Sequence, residues 1–184
     1  MKRPVITRFW NEKVKEEITG EKIELFYILS GNMKITTGME QYELHTEDII
    51  LTDFNETGKW ELDRHGLMIQ LSVDYFYLCS QMKGIRPHFL CNSVEEGGEK
   101  YDRLKKIIEK IAKEHIATER FDGLKYTSYT YQLLLLITEE FSDTKKSEVQ
   151  TAYGEDARLS AMLDYIYMNY DREISLTDLT ERLY

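Results

Sequence analysis

The first 73 residues alternate between short β-rich runs and turn signals. Runs at residues 5–10, 23–30, 33–37, 41–44, 48–53, 59–62 and 67–73 are separated by Gly20, by Gly31 with Asn32, by Gly38, by Asn55 with Gly58, and by Gly66. Many short strands with turns this close predict an antiparallel sandwich or barrel. Residues 23–29 and 49–51 are apolar at successive positions. Successive strand side chains point to opposite faces, so these strands must be covered on both sides. The sheet must therefore carry helices or a partner on its outside.

From about residue 74 the period changes. Residues 75–82, YFYLCSQM, read as a short helix entered at Asp74 and ended by the stretch from Gly84 to Pro87. Residues 88–92 return to an extended form. Leu104, Ile107, Ile108, Ile111 and Ala112 then recur at helical spacing, with Lys and Glu opposite. Lys105/Glu109 and Glu109/Lys113 make i,i+4 pairs. Asp122 can cap a further helix running to about Phe141. Its second half, YQLLLLI, is apolar all round. A surface helix needs one apolar stripe, so this one is expected to bury one face on its own domain and another on a second subunit. Leu104, Ile108, Ile111, Leu133 and Leu136 are the expected dimerisation residues. Residues 142–155 are polar and aperiodic and contain Gly154, which predicts a linker.

The last stretch, residues 158–184, is RLSAMLDYIYMNYDREISLTDLTERLY. Leu159, Met162, Leu163, Ile166 and Tyr170 form one helical stripe, followed by a turn at 171–173. Ser175 and Asp178 have the spacing of a capping box, and Ile174 and Leu179 that of a hydrophobic staple. A helix is thus expected to begin near residue 176, with Leu176, Leu179 and Leu183 facing one way. One preceding helix cannot cover that face, so the last ten or so residues are expected to fray or to pack against a neighbour.

The ordered pairs Tyr165-Ile166, Asn169-Tyr170 and Ser175-Leu176 resemble the start of the AraC-type DNA-binding domain, which has two helix-turn-helix units; Thr180 stands where the family usually has Ala. The resemblance covers about 27 residues. It implies a DNA-binding domain whose base-reading helix, the second of the unit, is not in this chain. No residue here is expected to contact DNA, and the chain is expected to be the regulatory half of a longer regulator.

The N-terminal half is similar to the cupin-like sensor domain that precedes such tails. Glu24 and Gly31 in IELFYILSGN match the family's strand and turn, and Gly31 suits a turn needing positive φ. In EDIILTDFNETG, Asp48 and Asn55 match, while Glu47, Phe54 and Gly58 replace the usual Gly, Pro and His. HFLCNS, residues 88–93, resembles the extended piece that follows the barrel. Metal-binding cupins carry histidines at positions that fall here within residues 17–20 and at Gly58, and none of these is His. The four histidines, His45, His65, His88 and His115, show no pairing at metal-ligand spacing. Neither a metal nor another cofactor is expected.

What remains is a small-molecule pocket. Alternation puts Glu24, Phe26 and Ile28 on one strand face, which the resemblance turns inward. Trp60 follows the His-to-Gly position. Arg8 and Trp10 lie on the N-terminal strand, which in these regulators often closes over the ligand. Glu24, Phe26, Trp60, Trp10 and Arg8 are therefore the candidate ligand-binding residues, and an aromatic-plus-carboxylate set suits a sugar or another small metabolite.

Composition sharpens the picture in two ways. The net charge of −9 argues against this chain gripping duplex DNA, since that affinity comes largely from Lys and Arg displacing counterions. Cys79 and Cys91 lack C-x-x-C spacing and read as reduced, partly buried thiols. The longest apolar run, residues 133–137, is too short to span a bilayer, and no signal peptide is evident; a cytoplasmic protein is expected.

The expected organisation is α+β: a cupin-like antiparallel β-barrel for ligand sensing over 1–93, a helical dimerisation region over 94–141, a linker over 142–155, and a truncated start of the helix-turn-helix domain over 156–184. The expected function is effector sensing and homodimerisation in an AraC-type transcriptional regulator, without catalysis. The rivals are a cupin enzyme acting on a small molecule, and a barrel serving only as a dimerisation scaffold.

Overall fold

The computed structural model describes residues 4–82, 87–116 and 122–143, together with Met162, Tyr165, Ile166, Asn169 and residues 175–177. Strands come first: β1 Val5–Trp10, β2 Val14–Ile18, β3 Ile23–Ser30, β4 Met33–Thr37, β5 Glu40–Leu44, β6 Ile49–Thr52, β7 Gly58–Leu62 and β8 Leu67–Val73. Helices α1 Tyr75–Gln81, α2 Glu99–Ile116 and α3 Asp122–Glu140 follow. The strands form two antiparallel four-stranded sheets, ordered β1-β8-β3-β6 and β2-β7-β4-β5. Ladder hydrogen bonds do not join the two sheets into a closed barrel among the described residues. The architecture is α+β, with the antiparallel sandwich that the strand pattern predicts followed by helices.

The core between the sheets includes Phe26 and Ile28 of β3, Met68 of β8 and Ile50 of β6 on one side. Facing them are Ile18, Met33, Ile35, Leu44, Trp60 and Leu62. The opposite face of the first sheet is equally apolar: Ile23, Leu25, Tyr27, Ile49, Ile69, Leu71 and Val73 are all buried. This is the two-sided burial predicted for residues 23–29 and 49–51, and helices supply the cover. The Thr7 hydroxyl and the Tyr126 hydroxyl of α3 share a hydrogen bond of 3.0 Å, and Tyr126 also donates to the Val5 carbonyl at 3.2 Å. Phe9 meets the His115 ring of α2 at 5.8 Å. His115 is thus a boundary residue.

Three turns bear on the family comparison. Gly31 adopts φ 81°, as its place in the turn requires. Asn55 adopts φ 66° and donates its backbone N–H to the Gly20 carbonyl at 2.8 Å. Glu47 adopts φ 75° where the resemblance has Gly. A β-carbon costs energy there, and the Glu47 carboxylate supplies compensation. It accepts hydrogen bonds from the Tyr27 hydroxyl at 3.1 Å and pairs with Lys105 of α2 at 3.4 Å. That contact ties the turn to the helical layer.

The extended piece at 89–93 lies along the free edge of β6. Leu51 N–H donates to the Cys91 carbonyl and Ser93 N–H to the Ile49 carbonyl, each at 2.9 Å. Covering an edge strand in this way removes a template for unwanted pairing. Cys91 is buried and unbonded to Cys79, and burial pushes its thiol up to about 12.

Two features differ from the sequence expectation. Strand β2, VKEEI, was not anticipated, because only its first and last residues are apolar. The expected dimerisation residues are corrected: Leu104, Ile108, Ile111 and Leu133 have no accessible surface, and Leu136 is buried too. They belong to this chain's own core and cannot themselves form an interface. The apolar surface that α3 leaves exposed is Leu124, Tyr131 and Leu135.

The chain divides into two units, residues 1–75 with 89–142, and residues 76–88 with 143–184. Both α2 and α3 thus fall in the same unit as the strands. Of the expected linker only Ser142 and Asp143 are described. Met162, Tyr165, Ile166 and Asn169 have helical backbone, and Leu176 and Thr177 are helical after a non-helical Ser175, in line with a helix starting near 176. The other expectations for the tail, including the Asp178 half of the capping box, the Ile174–Leu179 staple, the full leucine face and the fraying, lie outside the described residues.

Gly58 gives the first prediction. A β-carbon there would lie 2.0 Å from the Thr36 carbonyl oxygen across the β4–β7 pairing. The obstructing atom is backbone and cannot rotate away. Gly58→Ala is expected to lower unfolding free energy by roughly 3 kcal/mol, the upper part of the overpacking range. Urea denaturation checks this; an unchanged midpoint would contradict the packing described.

Candidate functional site

A cavity of about 210 Å³ opens between the two sheets at the end where β1, β2, β3, β7 and β8 converge. Its inner wall follows from strand register. Arg8 of β1, Gln70 of β8 and Phe26 of β3 are direct cross-strand neighbours, as are Ser72 and Glu24. Residues two apart share a face, so Arg8 and Trp10, Gln70 and Ser72, and Glu24 and Phe26 all turn to the inter-sheet side. From the facing sheet, Trp60 of β7 and Glu16 of β2 are opposite each other in register and both line the cavity.

All five residues singled out from the sequence, Glu24, Phe26, Trp60, Trp10 and Arg8, line this one cavity. The sequence reading did not find Gln70, Ser72 or the acidic mouth formed by Glu16, Glu17 and Glu21. Gln70 and Ser72 are buried polar residues on an otherwise apolar strand, LMIQLSV. That interruption of an apolar run is the signal that could have found them.

The polar groups form a chain. The Trp10 indole N–H donates to Gln70 Oε1 at 2.8 Å, and Gln70 Nε2 donates to Glu24 Oε2 at 2.9 Å. Ser72 Oγ donates to the same Glu24 oxygen at 2.8 Å. An indole N–H can only donate, which fixes the amide orientation of Gln70 and leaves its NH₂ for Glu24. Trp60 meets Trp10 edge-on at 5.4 Å and lies 5.7 Å from Phe26, so three rings brace one another beside the carboxylate.

Burial is the main influence on Glu24 and raises its pKa above the ordinary 4.5. The hydrogen bonds from Ser72 and Gln70, and the charges of Lys22 and Arg8, act in the opposite sense. The remaining charged groups around the cavity are Glu16, Glu17 and Glu21.

The cupin resemblance raises the question of a metal, and the residues present do not fit one. The positions it assigns to histidines hold Glu17, Ile18, Thr19, Gly20 and Gly58. At Gly58 even a methyl group would strike the Thr36 carbonyl. Among the described residues no three His, Cys, Asp or Glu side chains gather at metal-binding distance.

With this geometry in hand, the chain can be set beside known proteins. No protein-family model matches the sequence, and no curated protein sequence matches it. Solved structures do. The AraC-like transcriptional activator CuxR is similar over 98% of this chain and 66% of its own, with TM-score 0.55 and 10% identity. The fold is cupin-like. A Cupin 2 conserved barrel domain protein from Salinispora arenicola aligns over 40% of this chain and 66% of its own, with TM-score 0.35 and 13% identity. An ethanolamine utilization protein Q from Salmonella typhimurium aligns over 39% of this chain and 59% of its own, with TM-score 0.34 and 11% identity. At these identities the likeness is one of fold. The chain spans less than two thirds of the length of each of these three proteins.

The raised pKa of Glu24 gives a second prediction. A carboxyl with a higher pKa folded than unfolded binds more protons in the folded state between the two values. Stability therefore falls as pH rises from 4.5 through the folded pKa. Glu24→Gln keeps an acceptor for Gln70 and Ser72 without the charge. The variant is expected to gain stability relative to wild type as pH rises through this window, with the difference vanishing below roughly pH 4. Thermal melts of both proteins across pH 4–8 check this, and a difference that shrinks with rising pH would contradict it.

Proposed function

We propose that this chain is the effector-sensing and dimerisation part of an AraC-type transcriptional regulator. The observation that carries the reading is the cavity, where a hydrogen-bonded carboxylate and three braced aromatic rings converge. The lining is mainly polar, with Arg8, Glu16, Glu17, Glu21, Lys22 and Glu24 around the rings, and convergent polar groups beside aromatic side chains can orient a small molecule. The likeness to an AraC-like activator along nearly the whole chain, and the helix-turn-helix-like ordering of residues 165–176, support it. Glu24, Phe26, Trp60, Trp10 and Arg8 are assigned to the effector. DNA contact is assigned to sequence beyond the described residues, and no catalytic step is assigned to this chain. A sandwich serving only as a scaffold fits less well, because the inter-sheet space is left open at this one end.

The test is a thermal-shift screen of small metabolites, including sugars. A ligand of the folded state at 100 times its Kd stabilises by about 2.7 kcal/mol. A hit is expected to lose its effect in Trp60→Ala. Hits that all survive that change would place binding elsewhere and refute the assignment.

Dimerisation is assigned to the exposed stripe of α3. Leu124, Tyr131 and Leu135 are spaced by seven and four residues, which sets them on one helix face. Light scattering at micromolar concentration is expected to give twice the chain mass, and Leu135→Glu is expected to give a monomer. A wild-type monomer would overturn this part of the reading.

A further inference from the structure

Resting on the reading of the cavity as the effector site, we propose that the β6–β7 loop, residues 53–57, relays occupancy of the cavity to the places where the chain leaves the sensing unit. The loop is joined to the cavity on one side. The four residues of the β2–β3 turn, Thr19, Gly20, Glu21 and Lys22, all line the cavity. The Asn55 N–H donates to the Gly20 carbonyl at 2.8 Å. The two backbones meet closely there: a β-carbon on Gly20 would lie 3.1 Å from the backbone of Asn55. A molecule that displaces the turn therefore displaces the acceptor on which the loop is seated.

On its other side the loop meets the exits of the chain. The chain passes between its two units at 75/76, 88/89 and 142/143. Phe54 stacks on Tyr75, with ring centroids 4.1 Å apart and planes 3° from parallel. The buried Asp53 carboxylate accepts from the Phe89 N–H at 3.0 Å and, on its other oxygen, from the Phe54 N–H at 2.7 Å. Phe89 is bridged in turn to Ser142, and the Leu90 N–H donates to the Phe141 carbonyl at 2.8 Å. Two exits are thus touched directly by adjacent side chains of the loop, and the third through Phe89.

Coupling through contacts needs an element with two arrangements, and Asn55 supplies it. Its φ of 66° is left-handed, a conformation that asparagine tolerates but that costs energy for any residue with a β-carbon. The bond to the Gly20 carbonyl holds it there. When the turn moves and that bond is lost, the backbone at Asn55 relaxes toward negative φ, which re-aims Asp53 and Phe54 just before it. Glu56 makes the change collective, because its carboxylate accepts from the Asp53 N–H at 2.8 Å and so ties both ends of the tight turn together.

The experiment is amide hydrogen exchange on the chain by NMR, which reports local opening residue by residue. Gly20→Ala pushes the turn off the loop. Asn55→Ala, which disfavours the left-handed backbone without adding bulk, is a second variant that acts on the loop itself. In each, exchange at Phe89 and Leu90 is expected to speed up fivefold or more relative to Leu71 in the middle of β8, the reference for opening of the whole sheet. In an Asp53→Asn background, where the link to Phe89 is already weakened, Gly20→Ala is expected to add less than twofold. Exchange at Phe89 and Leu90 that merely tracks Leu71 in both variants would overturn the proposal. An effect of Gly20→Ala that is the same size in both backgrounds would also overturn it, since the signal would then bypass Asp53. No ligand is used, so the outcome is separate from that of the metabolite screen. Unmoved amides remove the relay and leave the effector cavity standing; hits that bypass Trp60 remove the effector and leave the mechanical link.

Discussion

The constraint on which the structure depends is that the β1-β8-β3-β6 sheet is buried on both faces. Strand β3 shows it most plainly. Its residues Ile23, Leu25 and Tyr27 lie under the helical layer, while Phe26 and Ile28 enter the inter-sheet core. A strand so placed has no solvent face on which to discard polar side chains. Any polar residue on it must be paired. Glu24 is satisfied by Gln70 and Ser72 from the neighbouring strand, and Gln70 in turn by Trp10. Its second oxygen is left to the cavity.

That economy explains what the sequence could and could not disclose. The bounds of β1, β3, β4 and β8 were legible because each is a β-rich run between glycines or polar turns. Residue faces followed from alternation, so Glu24 and Phe26 could be placed together without a structure, and the family likeness chose the inward side. Strand β2 was not legible. Its inward Glu16 lies at the cavity rather than in the core, so its period-two apolar signal vanishes. The α3 segment YQLLLLI told truly of two-faced burial for part of its length. Leu133, Leu134, Leu136 and Ile137 are buried within the chain, while Tyr131, Gln132 and Leu135 in that segment reach the surface. Pattern alone cannot distinguish cover by a neighbouring helix from cover by another molecule, and α2 supplies much of the cover here.

The departures from the cupin pattern also have physical content. At Gly58 the β4 backbone approaches too closely for any side chain, so a histidine could not stand there without moving the strands apart. Glu47 holds a left-handed conformation that glycine would adopt freely. Its carboxylate instead bridges Tyr27 and Lys105.

Strand β1 brings these two sides of the sheet together. Arg8 and Trp10 face the cavity; Val5, Thr7 and Phe9, at the alternate positions, meet Tyr126 and His115 of the helical layer. Among the described residues the strand is held at the sheet edge by β8 alone, so it is bound on one side where β3 is bound on two. Since one backbone carries both sets of side chains, a shift of Trp10 that moved the strand would be felt at Thr7 and thus at the Tyr126 hydroxyl of α3. Coupling of this kind requires a contiguous contact and two arrangements of it. The contact is present in a single six-residue strand, running from the candidate effector cavity to the helix that carries the exposed Leu124, Tyr131 and Leu135 stripe.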